Sequence, residues 1–168
     1  VVLLGEATKL SALVMDHTKT YEAEVRLGVG TDTLDAEGAV VAEGPVPALE
    51  PAVIEALLAR HVGEVMQVPP RYSALKVDGR THMSRARAGE TFEVAPRKAS
   101  CLGLELIAFD GERMTLRVEC GKGYYVRSLA RDLGAGLGTP SHLSALRRTR
   151  VGGFSLAQAV APDAVDAA

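Results

Sequence analysis

A chain of 168 residues, 47% of them hydrophobic, is long enough to bury the core of one ordinary domain. No run of about 18 apolar residues occurs, and no basic segment with a cleavage pattern accompanies the apolar start "VVLLGEATKL", so neither a spanning helix nor a secretory signal is expected and the chain reads as a soluble cytoplasmic protein. The formal net charge of −2 excludes a uniformly basic or acidic molecule, yet it conceals two cationic windows: seven Lys/Arg against three acids from Arg71 to Lys98, net +4, and eight against two from Arg113 to Arg150, net +6.

In chain order, "KTYEAEVRLGVG" alternates, with Tyr21, Ala23, Val25 and Leu27 on one side, and reads as a strand running into the glycine-bounded loop "VGTDTLDAEG". "GAVVAEG" reads as the strand leaving it, the pair forming a hairpin with a long tip. "PALEPAVIEALLARHVG" spaces Val53, Ile54, Leu57 and Leu58 as one helical face, with Pro51 near its start and Gly63 past its end. "VMQVPPRYSALKVDGR" breaks at Pro69-Pro70, continues extended through Tyr72, Ala74 and Lys76, and turns at Asp78-Gly79. "HMSRARAG" predicts a short helix. "TFEVAPRKASCLGLELIAFDGERMTLRVEC" predicts strands split at Asp110-Gly111, followed by a helix from Tyr125 or Val126. The last part, "SHLSALRRTRVGGFSLAQAV", reads as a short helix, a basic strand and the start of a further helix. Strands and helices alternate without a regular βαβ rhythm, which predicts an α+β fold around a mixed, largely antiparallel sheet flanked by helices.

Several residues carry chemistry on two readings each. Asp32 and Asp35 shape a turn, as Asp, Thr and Gly do by bonding their own backbone, or else supply a reactive carboxylate. Gly121 and Gly123 flank Lys122 in a stretch that admits a phosphate, although the P-loop spacing is absent. Tyr125 is a core aromatic or a site residue carried on a strand-to-helix passage. Arg127 is a surface ion pair or a site cation. The two cationic windows suit a phosphate-binding face or a solvated surface equally. Cys101 and Cys120 are too few and too far apart for a disulfide framework or a four-ligand zinc site, and read as core.

Four stretches, "KTYEAEVRLGVGTDTLDAEG", "PPRYSALKVDGR", "KGYYVRSLARDLG" and "LSALRRTRVGGF", occur in an order and spacing that resembles the TruB family of bacterial tRNA pseudouridine synthases, from Leu4 to about Val160. The resemblance implies a pseudouridine synthase fold, here a single partial catalytic domain over residues 1–168, incomplete at its N-terminus and without a C-terminal RNA-binding domain after "APDAVDAA". It implies isomerisation of the uridine at position 55 in the tRNA T loop, with no metal, no organic cofactor and no protein partner, by a monomer. By the same resemblance Tyr21 is the active-site tyrosine that stacks on the flipped uracil, and Arg127 is the arginine that holds the catalytic aspartate. Asp35 supports that arginine, while Tyr125 and Leu146 line the base pocket. Lys76, Lys122, Arg147 and Arg148 contact RNA. The family's nucleophile sits in a G-x-L-D-P-x-A-[ST]-G loop just upstream of a segment like "LLGEATKL"; "TLDAEG" lacks that continuation, so neither Asp32 nor Asp35 is the expected nucleophile, and the chain by itself is expected to be inactive. The match departs at Met83-Ser84, where the family shows Tyr and Glu. A non-catalytic RNA-binding or RNA-folding module is the alternative.

Overall fold

The structure, a computed structural model, describes residues 1–161 and 164. The expectation attached to the closing "APDAVDAA" therefore lies outside the described residues, apart from Ala161 and Ala164. A 3₁₀ turn over Gly5–Leu10 leads into α1 (Ser11–Asp16), and then come β1 (Lys19–Leu27), β2 (Val29–Thr31), β3 (Val40–Glu43), α2 (Pro51–Ala59) and β4 (Gly63–Gln67). A small hairpin of β5 (Lys76–Val77) and β6 (Arg80–Thr81) precedes α3 (His82–Arg87). The remainder is β7 (Arg97–Phe109), β8 (Arg113–Cys120), α4 (Val126–Leu137), β9 (Ser141–Val151), β10 (Phe154–Ser155) and a closing 3₁₀ turn, Leu156–Gln158. Six strands form one sheet in the order β10-β9-β1-β8-β7-β4, every neighbouring pair antiparallel. This is the α+β architecture that the mixed pattern predicts.

Alternation explains the centre of the sheet. Ala23, Val25 and Leu27 of β1 face Met114, Leu116 and Val118 of β8, all at most 2% exposed, while Glu22, Glu24, Arg113 and Arg117 point to the other face. Over the apolar face lies α4, whose Val126, Leu129, Ala130, Leu133 and Leu137 recur at three- and four-residue spacing and are buried. The chain then doubles back so tightly that a Cβ on Gly134 would collide with Ser141, whose hydroxyl donates to the Ala130 carbonyl at 2.7 Å. From α2 come Ile54, Leu57 and Leu58, completing the core. Each fully buried Leu or Val of this seam stabilises the fold by about 1.5–3 kcal/mol relative to exposure.

Three expectations are corrected. The Tyr21 strand does not run into the aspartate loop: it ends at Gly28, where φ is +85° and the backbone passes close to Gly44, and the hairpin arms are β2 and β3 instead. "SHLSALRR" is not helical but the first part of an eleven-residue strand, because β1 pairs with it along its length and tertiary pairing overrides local propensity. The extended run expected through Tyr72 and Ala74 is strand only at Lys76–Val77. An unanticipated strand, β4, pairs with the start of β7 at the sheet edge.

Cys101 and Cys120 lie opposite each other on β7 and β8, buried and free. Burial pushes the Cys120 thiol up to about 12 and raises Cys101 in the same direction. At pH 8 about one Cys120 in ten thousand is then a thiolate, the form that attacks. The native protein is expected to resist an aromatic disulfide reagent at that pH and to take up two equivalents once unfolded in denaturant; rapid labelling of the native form would show that the β7–β8 core opens.

Candidate active site

The loop from Thr31 to Gly38 is built by its own polar groups. Asp32 closes its base: its carboxylate accepts the Ala39 N–H at 2.9 Å, and its own N–H donates to the Ala39 carbonyl. Asp35 has a double duty. One carboxylate oxygen accepts from the Thr33 hydroxyl at 2.6 Å and the Glu37 N–H at 3.2 Å, shaping the turn, and the other accepts from Arg127 at 3.0 Å. Leu34, with φ of +65°, accepts the Leu143 N–H, and this contact docks the loop on β9.

Arg127 sits in the first turn of α4 and is three-quarters buried. Its Nη1 donates to Asp35 and to the Thr33 carbonyl at 3.1 Å, and its Nη2 donates to the Tyr72 carbonyl at 2.8 Å. Two segments far apart in sequence, the loop of Thr33 and Asp35 and the stretch at Tyr72, thus converge with three acceptors on one planar cation, a geometry that suits the fixed fork of a guanidinium. The segment that brings Tyr72 there is anchored behind: the Val68 carbonyl accepts from Ser128 and Arg131, and Pro69 and Pro70 are buried. Gln67 is 4% exposed, and its amide exchanges two hydrogen bonds with the peptide of Tyr125, the residue preceding α4.

The remaining candidates divide by face. Tyr21 is half-buried opposite Arg148 on β9, and Ala23 is opposite Leu146, so these residues share the face covered by α4. Near Ser141–Leu143 that face is sealed, but Leu146 is 47% exposed and Arg148 is exposed, leaving an open floor beside Tyr21. Arg147 lies opposite Glu22 and therefore faces the other side of the sheet. Lys122 pairs with Asp16 at 2.6 Å on the surface, away from any phosphate role in this state, and Lys76 stands exposed on the β5–β6 hairpin. Among the described residues no cluster of three or more His, Cys, Asp or Glu side chains is arranged to hold a metal, and no helix is long and apolar enough to cross a membrane.

Many of the cations are already occupied. Arg80 and Arg85 pair with Glu90, and Arg71 and Arg85 stack on Phe92 with guanidinium carbons 5.2 and 4.3 Å from its centroid. In the second window Arg113, Arg117, Lys122, Arg127 and Arg131 have acidic partners, whereas Arg147, Arg148 and Arg150 of β9 have none among the described residues. At the departure Met83-Ser84, Ser84 donates its N–H and its hydroxyl to Thr81, capping α3.

Sequence reasoning picked out Asp35 and Arg127 but not their partners. Gln67, Thr33 and the Tyr72 carbonyl went unseen, because a backbone acceptor leaves no residue-type signal; the one available cue was a polar Gln directly before a Val-Pro-Pro stop.

Sheet topology and the arginine-centred loop cluster define a pseudouridine-synthase-like α+β domain, and comparison with known proteins agrees. The solved structure of a Cbf5–Nop10–Gar1 complex contains a chain that superposes with TM-score 0.66 at 25% identity, covering 91% of this chain and 36% of that one. A family model described as TruB family pseudouridylate synthase (N terminal domain) matches residues 1–126, and one described as tRNA pseudouridylate synthase B C-terminal domain matches residues 127–168. Among curated proteins, tRNA pseudouridine synthase B of Azoarcus sp. (strain BH72) is 52% identical over 163 residues, 97% of this chain and 54% of that protein; the same-named protein of Ralstonia pickettii (strain 12J) is 49% identical over 168 residues, 98% of this chain and 52% of that protein. The chain belongs to the TruB family of pseudouridylate synthases. It spans about half the length of the curated relatives it matches. The junction between the two family models falls at the start of α4, and the six-stranded sheet draws strands from both sides of it.

Replacing Arg127 with Lys puts one ammonium where a fork served three acceptors. Arg127→Lys is expected to lower unfolding stability by about 1–3 kcal/mol in denaturant titration, through unpaired Asp35, Thr33 or Tyr72 acceptors; an unchanged midpoint would show that the triple contact contributes nothing. A second expectation concerns α3. Burial, with the cations Arg85 and Arg97 nearby, holds the His82 imidazole below its ordinary value of 6.5, so the neutral ring is favoured against Phe92 and Ser73. This contribution is complete above about pH 6.5 and erodes as the pH falls toward the lowered folded value. Amide exchange in residues 82–87, corrected for intrinsic rates, should accelerate on acidification through that range in the native chain and stay flat in His82→Gln.

Proposed function

We propose that this chain supplies the base pocket and the orienting arginine of a tRNA pseudouridine synthase acting on the T-loop uridine at position 55, as one catalytic unit in a cytoplasmic monomer. The observation that carries this reading is the three-quarters-buried Arg127 fork held by Asp35, Thr33 and Tyr72, on a helix that covers the sheet face carrying Tyr21 and Leu146. Membership of the TruB family supports it.

The isomerisation breaks the bond between ribose C1′ and uracil N1, turns the base, and joins C5 to C1′, while C5 loses a proton and N1 gains one. No step needs an oxidant or a reductant. A stacked uridine is out of reach, so the base must be extruded and received on an aromatic face. On this reading Tyr21 provides that face and its hydroxyl stands in reach of the proton transfers. Arg127 keeps an attacking carboxylate ionised and aimed, as a charge-assisted partner. Tyr125 and Leu146 bound the pocket, and Arg148, on the same face, meets the RNA backbone, with Lys76, Lys122 and Arg147 as outlying contacts.

The hydrogen bonds of the loop support a nucleophile other than Asp32 or Asp35. Asp32 is committed to the Ala39 backbone, and Asp35 to Thr33, Glu37 and Arg127. A T-arm hairpin tritiated at uridine C5 should therefore bind the 168-residue chain without releasing tritium, and the same chain extended at its N-terminus by a G-x-L-D-P loop should release it. Turnover by the 168 residues alone would make Asp32 or Asp35 the nucleophile; silence from both forms, with binding intact, would leave an RNA-binding module. In the same binding assay Arg148→Ala should flatten the dependence of log affinity on log salt by about one unit of slope, the signature of one lost phosphate contact.

A further inference from the structure

We propose that Gln67 is a positioning residue of this site, setting the start of α4 and with it Tyr125 and Arg127; the proposal rests on the uridine-isomerising reading above. Tyr125 is the N-cap of α4, yet no side chain caps the helix there. Instead the Gln67 amide meets its peptide as a neighbouring strand would: Oε1 accepts the Tyr125 N–H at 2.8 Å, and Nε2 donates to the Tyr125 carbonyl at 3.0 Å. That carbonyl also receives the Leu129 N–H, the first bond of the helix. One nearly buried amide thereby fixes the residue from which the helix springs, two positions before Arg127.

The same chain segment goes on to hold the helix at three further points. The Val68 carbonyl receives Ser128 and Arg131, and the Tyr72 carbonyl receives Arg127. Buried Pro69 and Pro70 carry the segment between these points with no N–H to satisfy. Gln67 is the only side chain of the segment from 67 to 70 with polar atoms, and it both donates and accepts.

A carboxylic acid reproduces this pattern only when protonated. In Gln67→Glu the neutral acid donates O–H to the Tyr125 carbonyl and accepts its N–H, whereas the carboxylate has no donor and repels that carbonyl. The groups lining the cavity beside Gln67 are His61, Tyr124, Arg131 and Asp132, and they are common to both forms, so the unsubstituted chain at each pH removes their contribution.

The experiment uses the 168-residue chain with a T-arm hairpin carrying 2-aminopurine beside the target uridine, and, separately, the NMR signals of the Arg127 guanidinium. Burial at this position, where Gln67 is 4% exposed, raises a carboxyl above its ordinary value. Gln67→Glu is therefore expected to approach the unsubstituted chain as the pH falls to about 5 and to lose the RNA-induced fluorescence change at least about fivefold at about pH 8, with the Arg127 signals shifting or broadening over the same range while the unsubstituted chain varies less than about twofold. Because the comparison is made within one variant at two pH values, a pH-independent loss of folding does not reproduce the expected result. Equal behaviour of Gln67→Glu and the unsubstituted chain at both pH values would overturn the proposal, as would an equal loss at both. If the unsubstituted chain gives no fluorescence change at all, the uridine-pocket reading fails, and the Arg127 signals still test the positioning role.

Discussion

A single guanidinium, that of Arg127, brings the aspartate loop and the Tyr72 segment to the same point on α4. Its three acceptors come from positions 33, 35 and 72, and its own backbone belongs to α4. Placing a cation at three-quarters burial costs hydration, and the arrangement offsets that cost with one carboxylate and two carbonyl acceptors. The dependence runs both ways. Without Arg127 the Thr33 and Tyr72 carbonyls and the Asp35 carboxylate would be left short of donors in a partly buried place; without the loop and the Pro-Pro segment the cation would have only water.

How much of this could be read from the sequence follows from what kind of force decides each element. β1, β8, α2 and α4 were legible because their burial pattern is their own: alternation at Ala23, Val25 and Leu27, or helical spacing at Val126, Leu129, Ala130 and Leu133. β9 was legible only in its basic second part; its first part, read as helix, has no clean alternation and becomes a strand through pairing with β1. β4 was hidden by its shortness, its initial glycine and its place at an edge. At the site, the residue types of Asp35 and Arg127 were legible through the resemblance, and the turn-or-chemistry question about Asp35 had no single answer, because its two carboxylate oxygens serve the two purposes separately. Partners that are peptide groups, such as Tyr72 O and the Tyr125 amide, have no letter in the sequence to mark them.

Charge shows the same limit in another form. Counted along the chain, the stretch from Arg113 to Arg150 carries net +6, which suggests one broad cationic face. Folding disperses it: half of its cations meet acids that lie elsewhere in the sequence, Glu24, Glu105, Asp16 and Asp35, and Arg131 meets its neighbour Asp132. The excess left for a polyanion is concentrated on β9, and strand geometry divides even that. Successive side chains point to opposite faces, so Arg147 and Arg148, adjacent and chemically equal, stand on opposite sides of the sheet.

By this division the floor beside Tyr21 and Leu146 is not a uniformly charged groove. On the α4-covered side, Tyr21 and Leu146 offer apolar area and Arg148 offers one unpaired cation at the rim, while the buried cation, Arg127, already has an acidic partner in Asp35. On the proposed reading, an uncharged planar ring loses little hydration there and gains contact with an aromatic face, and its phosphate is left to Arg148 and water. The separation of an apolar floor from a cationic edge is thus produced by strand alternation at β1 and β9 together with the internal pairing of Arg127, and those two features are what the proposed reception of a neutral base draws on.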